Sequence, residues 1–244
     1  MINQRTLIIG ANSGIATALT LALLKDTDRQ LILITRNIEH LQGIDSNQAI
    51  PIHVNNYDEQ SIKRAVSKLQ AMKALPITQV FICSGILHSR NIKPEKRLED
   101  FDANAFSQII NANTLSPILW LKHLTTLLTS EHTCKVTVFS ARVGSTSDNK
   151  LGGWYSYRCS KAALNMLLKT VAIEFARRAK NIKVIAFHPG TTDTPLSKPF
   201  QKNVPVGKLF TREFVAKQLL DIVEKTPVDG ELSYLDWQGK HINF

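Results

Sequence analysis

A tyrosine and a lysine four residues apart carry the clearest chemical signal in the chain. Tyr157 and Lys161 open a segment whose later apolar residues are spaced as in an amphipathic helix. Residues four apart on a helix share one face, so the two side chains are expected to be neighbours. An ammonium beside a phenol favours the phenolate and lowers a pKa that is otherwise about 10. The pair is therefore predicted to exchange a proton with a carbonyl that receives a hydride. The alternative is a solvent-exposed helix edge with an extended lysine.

The N-terminal segment has the pattern of a dinucleotide-binding turn. Residues 6–9 form a short apolar run, residues 10–16 a glycine-containing turn, and residues 18–24 a helical pattern. This order of strand, turn and helix is the context that such a site requires. Gly10 permits a tight turn, Gly14 lets the backbone approach a pyrophosphate at the helix N-terminus, and Ala16 is small enough for close packing. A bare turn is the alternative.

The end of the second strand-like run distinguishes between the two nicotinamide cofactors. Residues 31–35 are followed by Arg36, and the nearest acidic residue downstream is Glu39. An acid at this point holds the ribose 2′-hydroxyl of NAD, whereas an arginine accommodates the 2′-phosphate of NADP. The sequence therefore favours NADP(H) over NAD(H), with an ordinary surface arginine as the alternative.

The composition is that of a folded globular protein. Of the 244 residues, 43% are hydrophobic and 20% are charged, which excludes a disordered or fibrous chain. The three cysteines have no metal-ligand spacing and imply no disulfide framework. No signal-peptide pattern or bilayer-spanning apolar run is present, so we expect a cytoplasmic protein without membrane or metal sites. The net charge of +10 is scattered along the chain, so no nucleic-acid partner is expected.

Strand-like and helical segments alternate along the whole chain. Further strand-like runs lie at residues 50–54, 80–83, 135–139, 182–187 and 232–235, with no linker and no internal repeat. This alternation predicts a single α/β domain over residues 1–244, built on a doubly wound, mostly parallel sheet of seven strands flanked by helices. The site is expected outside the carboxyl ends of the strands. The irregular segment 194–212 is predicted to be a lid over a mainly apolar substrate.

Three motifs occur in order along the chain: Gly10-x-x-x-Gly14-x-Ala16, Tyr157-x-x-Ser160-Lys161 and His188-Pro189-Gly190. Together they resemble the short-chain dehydrogenase/reductase family. Two further segments, 152–165 and 234–240, are similar to its C-factor-like branch, which includes carbonyl reductases and a cell–cell signalling protein. The resemblance implies a Rossmann fold, a homodimer or homotetramer, and an NADP-dependent oxidoreductase acting on a small carbonyl or alcohol. The alternative is an NADP-binding regulatory or signalling protein with little turnover.

The resemblance also implies roles for individual residues. Tyr157 would be the catalytic acid/base, Lys161 would lower its pKa and hold the nicotinamide ribose, and Asn113 would support a proton-relay water. Asn55 replaces an aspartate that usually touches adenine, and Ser84-Gly85 stands where the family carries Asn-Ala-Gly. The cofactor-binding positions implied are Gly10, Asn12, Ser13, Gly14, Ile15, Arg36, Asn55, Ser84, Gly85, Tyr157, Lys161, Pro189, Gly190, Thr192 and Thr194.

One departure from the family pattern concerns the serine that hydrogen-bonds the substrate carbonyl. Its position is occupied by Ala141, and the loss of one such donor lowers a rate by ~10²–10³. Ser140 is the leading substitute, although successive strand residues point to opposite faces, so it serves only if the strand has already ended. Ser145 and Ser147 are further candidates. The remaining alternative is a slow enzyme without a substitute, or one that uses a water.

Overall fold

The fold is built on one parallel β-sheet. The computed structural model describes residues 1–41, 44, 47–72 and 75–244. Its seven long strands are β1 Gln4–Ile9, β2 Arg29–Thr35, β3 Ala49–His53, β4 Ile77–Ile82, β5 Cys134–Phe139, β6 Ile182–His188 and β7 Leu232–Asp236. They lie in the order β3-β2-β1-β4-β5-β6-β7, and every neighbouring pair is parallel. The predicted doubly wound α/β sheet is confirmed, and it is parallel throughout.

Helices cover both faces of this sheet. Among the described residues the α-helices are α1 Gly14–Leu23, α2 Glu59–Ala71, α3 Ala103–Ile110, α4 Ser116–Leu128, α5 Tyr155–Arg178 and α6 Arg212–Lys225. Side chains of α2, α4 and α5 pack with Leu7 and Ile9 on one face, whereas those of α1 and α6 pack with Ile8 on the other. Successive strand residues point to opposite faces, so a fully apolar strand supplies both layers of the core.

The chain reverses direction between β1 and β4, which are neighbours in the sheet. From β1 it proceeds to β2 and β3 at one edge, and then crosses to β4 and continues to the other edge. The connections after β1 and β4 therefore diverge and leave a crevice at their carboxyl ends, where ligands of open α/β sheets bind. This crevice is the expected place for the site.

The helical stretch between β4 and β5 contains a bend at a polar residue. Residues Asn111–Leu115 form a π-helical turn that joins α3 to α4. Such single-turn bulges are frequently found at functional sites. The bend turns Asn113 inward, and its side chain is fully buried.

The predicted lid is folded onto the carboxyl edge of the sheet. Residues Lys198–Asn203 form a 3-10 helix, and Leu209–Phe210 pair in parallel with Thr191–Thr192 in a small separate ribbon. In the part of the chain that the structure describes, no helix is long and apolar enough to cross a membrane. The same described residues contain no cluster of three or more potential metal ligands.

Candidate active site

Two cavities adjoin at the carboxyl ends of the strands. The larger one, of about 1050 Å³, is bordered by the loops that follow β1, β4, β5 and β6 and by the lid. The second one, of about 930 Å³, extends from the glycine turn toward the end of β2. Both are lined by Asn12, Ser13, Cys83, Ser84, Gly85 and Ile86. Together they form a continuous elongated site across the crevice.

Most of the predicted site residues line these cavities. The larger cavity is lined by Asn12, Ser13, Gly14, Ile15, Ser84, Gly85, Ser140, Tyr157, Lys161, Pro189, Gly190, Thr192 and Thr194. The second cavity adds Gly10 and Arg36. Asn55 is exposed and lies outside both sets of lining residues, and Asn113 stands behind the wall of the larger cavity. The structure therefore brings together all the predicted residues except Asn55, with Asn113 as a buried support.

Tyr157 and Lys161 lie one turn apart at the start of α5 and face the larger cavity. Their side chains are 9% and 3% exposed, which excludes the alternative of a solvent-exposed helix edge. The Lys161 ammonium lies 5.8 Å from the centre of the Tyr157 ring and donates to the carbonyl oxygen of Phe139, at the end of β5, at 2.8 Å. A phenol and an amine are thus fixed at one wall of a cavity.

The predicted lowering of the tyrosine pKa is wrong for this arrangement. Burial raises the pKa of the Tyr157 phenol, and the nearby Tyr234 raises it further. Burial also lowers the pKa of Lys161 to about 8. The physical reason is that desolvation disfavours the charged form of both groups. The Lys161 ammonium donates to the Phe139 carbonyl oxygen and does not offset this desolvation. The Tyr157 phenol therefore keeps its proton to a higher pH than a solvent-exposed tyrosine does.

Asn113 connects the loop after β4 to the helix that carries Tyr157. Its Oδ1 accepts from the backbone N–H of Ile86 at 2.7 Å, and its Nδ2 donates to the Ile86 carbonyl oxygen at 2.8 Å. The same Nδ2 donates to Ser160 Oγ at 3.0 Å, and Ser160 Oγ donates to the carbonyl oxygen of Tyr157 at 2.8 Å. The buried amide is fully satisfied, and it fixes the two walls of the cavity relative to each other.

A glycine lies between these groups. A Cβ on Gly85 would approach Asn113 Oδ1 at 3.2 Å and Lys161 Nζ at 3.7 Å. The degenerate Ser84-Gly85 segment thus keeps a residue without a side chain next to Asn113 and Lys161.

Ala141 occupies the position next to the tyrosine where the family pattern has a serine. It is buried and packs with Leu87 and Tyr157. Ser140 also lines the cavity, but its hydroxyl donates to Asn165 Oδ1 on α5 at 2.6 Å. β5 ends at Phe139, so the condition for substitution by Ser140 is met, and the backbone N–H of Ser140 still donates to the carbonyl oxygen of Phe187 at 2.8 Å. The bond to Asn165, however, engages the Ser140 hydroxyl away from a substrate.

The two other candidate serines lie outside the cavity. The hydroxyls of Ser145 and Ser147 are 3.1 Å apart, and Ser145 Oγ also accepts from the backbone N–H of Asp148. Neither residue belongs to the lining of either cavity. Their hydrogen bonds hold the loop that leads from β5 to α5.

The second cavity contains an aromatic residue that the sequence reasoning missed. Tyr57, shortly after β3, lines it together with Asn56, and the Arg36 guanidinium lies 5.4 Å from the Tyr57 ring centre. Burial raises the pKa of Tyr57 to about 12, although Arg36 acts in the opposite direction. A flat ring under a guanidinium provides a surface for a base and a cation for a phosphate. The aromatic residue in an otherwise polar segment, residues 55–58, was the available signal.

The larger cavity also has aromatic walls that were not predicted as site residues. His88, Trp154 and Phe200 line it together with Leu87 and Val143. Phe200 lies in the predicted lid, and Trp154 belongs to the motif that precedes Tyr157. The motif was recognised as a family signature, but its tryptophan had no chemical role in that interpretation.

The polar groups at the junction of the cavities fit a dinucleotide. Asn12 Oδ1 and Ser84 Oγ are buried and have no hydrogen-bond partner among the described residues. A Cβ on Gly10, whose φ is +80°, would approach the backbone nitrogen of Ser84 at 3.0 Å, so only glycine suits this close passage. Unpaired polar atoms in a glycine-lined channel are suited to a ligand that carries its own hydroxyls and phosphates.

A family model agrees with this geometry. The model described as short chain dehydrogenase matches residues 4–205. The 1-hydroxy-2-glutathionyl-2-methyl-3-butene dehydrogenase of Rhodococcus sp. (strain AD45) is 28% identical over 197 residues, which are 80% of each protein. The (S)-benzoin-forming benzil reductase of Bacillus cereus is 22% identical over 250 residues, covering 94% of this chain and 98% of that enzyme.

Two further comparisons bear on the branch and on the fold. The C-signal protein of Myxococcus xanthus is 29% identical over 102 residues, or 42% of this chain and 60% of that protein, which agrees with the predicted resemblance to the C-factor-like branch. The solved structure of an NADPH-bound carbonyl reductase from chicken fatty liver superposes over the full length of both chains, with a TM-score of 0.84 at 20% identity. At this identity the superposition establishes the shared fold.

Proposed function

The chain belongs to the short-chain dehydrogenase family of oxidoreductases, and from this premise we propose that it is an NADP(H)-dependent carbonyl reductase. Its substrate would be a small, mainly apolar aldehyde or ketone, which is reduced to the alcohol. In the reverse direction the alcohol would be oxidised to the carbonyl compound. The observation that carries the proposal is the burial of Tyr157 and Lys161 in the wall of a cavity that continues into a glycine-lined channel.

The residues present would hold an NADP(H) molecule along the two cavities. Arg36 would bind the 2′-phosphate, with Tyr57 beside the adenine, and Gly14 and Ile15 would meet the pyrophosphate at the N-terminus of α1. Lys161 would bond to the nicotinamide ribose. The remaining positions around the nicotinamide half would be Ser84, Gly85, Pro189, Gly190, Thr192 and Thr194. The bound cofactor supplies the hydride.

The protein's own residues would manage the proton. The Tyr157 phenol carries its proton at neutral pH, as a tyrosine ordinarily does, and it would donate this proton to the oxygen of a carbonyl undergoing reduction. Lys161 would stabilise the negative charge that the phenol oxygen acquires after this donation. Asn113 would keep the loop at Ile86 and the helix at Ser160 in register, as its hydrogen bonds do in the structure. The proposed support of a relay water by Asn113 is compatible with its position behind the wall of the larger cavity.

The test is the oxidation of NADPH with activated carbonyls such as quinones, isatins and aromatic aldehydes. We expect turnover with NADPH that exceeds turnover with NADH, and a loss of ~10²–10⁴-fold in Tyr157→Phe, the range for removal of a positioned acid. NADPH should still protect the Tyr157→Phe variant against heat, because the fold and the channel are retained. Undiminished turnover in this variant would exclude Tyr157 as the acid.

A second function is favoured by Ala141, which replaces the expected hydrogen-bond donor by an apolar side chain. The protein would then bind NADP(H) as a regulatory or signalling component and turn over little substrate. Thermal protection by NADPH without oxidation of NADPH by any carbonyl in the panel would support this function over the reductase.

Two structural proposals accompany the function. Residues 1–244 would act as one domain, with residues 194–212 as its lid, because Leu196, Phe200 and Val204 from this segment line the larger cavity. The chain would also form a homodimer or homotetramer, supported by the exposed apolar side chains of Met166, Leu167 and Ile173 on α5. Light scattering coupled to size-exclusion chromatography tests the assembly.

A further inference from the structure

Trp154 has an unusual backbone conformation directly before the helix that carries Tyr157. Its φ and ψ are +53° and +42°, and it is the only non-glycine residue with positive φ in the described part of the chain. For a residue with a bulky side chain this left-handed conformation is unfavourable, whereas a glycine would adopt it without strain.

The surrounding hydrogen bonds force this conformation. The backbone N–H of Trp154 donates to the carbonyl oxygen of Glu95 at 2.6 Å, and the Arg158 side chain donates to the carbonyl oxygen of Gly153 at 2.9 Å. Glu95 is itself 3% exposed, and its carboxylate accepts from the backbone N–H and the hydroxyl of Ser156. The turn is therefore held on both sides, and the direction of the Cα–Cβ bond of Trp154 is set with it.

This fixed direction places the indole in the larger cavity. The Trp154 ring lies 6.2 Å from the Tyr157 ring in an edge-to-face arrangement and 5.0 Å from the Phe200 ring. Phe200 in turn lies 5.7 Å from the ring of His88. Three segments that are distant in sequence thus supply one aromatic wall beside the predicted proton donor: the loop after β4, the start of α5 and the lid.

We infer that Trp154 is a specificity-determining residue, and that the substrate is an aryl carbonyl whose ring lies against Trp154 and Phe200 while its carbonyl faces Tyr157. The inference rests on the proposed reductase function and adds the chemical class of the substrate. Aromatic rings at centroid distances of 4.5–7 Å attract one another beyond the contribution of buried area. An aliphatic ring of the same size gains the burial but lacks this additional attraction.

Matched substrate pairs test this assignment. The pairs are benzaldehyde with cyclohexanecarbaldehyde, and 1-phenyl-1,2-propanedione with its cyclohexyl analogue, each reduced by wild type and by Trp154→Leu, which keeps an apolar side chain without a ring. We expect the aryl/cyclohexyl ratio of kcat/KM to fall by about threefold to tenfold in the variant, as the loss of an aromatic pair predicts. Phe200→Leu should also lower the aryl/cyclohexyl ratio of kcat/KM.

The control is Phe101→Leu, which removes a ring from an exposed position outside both cavities. It should leave the ratio unchanged. The NADPH dissociation constant should be the same in all four proteins, because the variants leave the channel intact. An unchanged aryl/cyclohexyl ratio of kcat/KM in Trp154→Leu would overturn the inference, even if the variant reduced both members of each pair more slowly. If no carbonyl is reduced by the wild type, the proposed function fails instead.

Discussion

The hydroxyl of Ser140 donates to Asn165 Oδ1 at 2.6 Å and so connects the end of β5 to the middle of α5. Asn165 Nδ2 lies 3.5 Å from the carbonyl oxygen of Gly144, in the turn that follows Ala141. Both partners are buried. This bond gives Ser140 a structural function at the position where a substitute for the missing serine would otherwise be sought.

Substitutions at the two neighbouring positions should therefore affect different properties, stability at Ser140 and turnover at Ala141. Ser140→Ala should leave kcat within about threefold of wild type, but should lower the free energy of unfolding by about 1–3 kcal/mol because Asn165 Oδ1 loses its donor. Ala141→Ser should raise kcat by at least about tenfold, because it restores a donor beside Tyr157. Steady-state kinetics and denaturant titrations of both variants measure these effects.

Ser145→Ala serves as the control, since Ser145 lies outside the cavity lining and its loss should change neither the kcat nor the substrate preference. A decrease of two orders of magnitude in Ser140→Ala with normal stability would show that this hydroxyl turns toward the substrate during the reaction.

The buried Lys161 amine predicts a pH dependence of activity. Its pKa is lowered to about 8 by burial, so the ammonium is present below that pH and is lost above it. The kcat/KM for NADPH, which reflects the enzyme before NADPH binds, should be constant below pH 8 and fall above it. Lys217→Gln, an exposed substitution on α6, should keep the same midpoint. A profile without any fall between pH 7 and 10 would contradict the prediction.

The same shift predicts a pH dependence of stability. In the unfolded chain a lysine has a pKa of about 10.4, so between about pH 8 and 10.4 the unfolded state binds more protons than the folded state. Stability therefore gains from Lys161 as the pH rises through this window, by at most about 3 kcal/mol. In Lys161→Met this gain should be absent. The test measures, for wild type and for the variant, how much the free energy of unfolding changes between pH 7.5 and pH 10. An equal change in the two proteins would show that Lys161 has an ordinary pKa.

Arg36 should determine the choice between the two nicotinamide cofactors. Arg36→Gln is expected to raise the dissociation constant of NADPH by about 10- to 100-fold, which corresponds to a lost hydrogen bond to a charged phosphate. Binding of NADH should change less than threefold, because it lacks the 2′-phosphate. Isothermal titration measures both constants. Arg64→Gln on α2 is the matched control, and a parallel loss of both cofactors in Arg36→Gln would refute the assignment.

The fold, the glycine turn of the site and its tyrosine–lysine pair could be predicted because the relevant sequence signals are local. The apolar strands, the glycine turn at Gly10 and Gly14, and the four-residue spacing of Tyr157 and Lys161 each specify a short segment. Parallel topology then brings the carboxyl ends of the strands together, and the residues that follow them share one crevice. No long-range information was needed for this step.

What could not be predicted depends on contacts between distant segments. The raised pKa of Tyr157 results from burial, which a helical pattern does not specify. The bond from Ser140 to Asn165 spans 25 residues, and the bond from the Trp154 N–H to the Glu95 carbonyl oxygen spans the whole of α3, α4 and β5. The role of Asn55 beside adenine stays a prediction: Asn55 is exposed outside the lining of both cavities, whereas Asn56 and Tyr57, which follow it, line the second cavity.

The strained turn at Trp154 gives a prediction that does not depend on activity. In Trp154→Ala and Trp154→Gly the indole is absent from both variants, so their difference in stability reports the backbone alone. Because the residue has φ of +53°, the glycine variant should be the more stable of the two by about 1 kcal/mol. At Met166, an exposed position within α5, the order should reverse, with alanine more stable than glycine by a similar amount. Chemical denaturation of the four variants measures both differences. If alanine were the more stable residue at both positions, the turn would not be held in the left-handed conformation in solution, and the fixed direction of the Trp154 side chain would have to be abandoned.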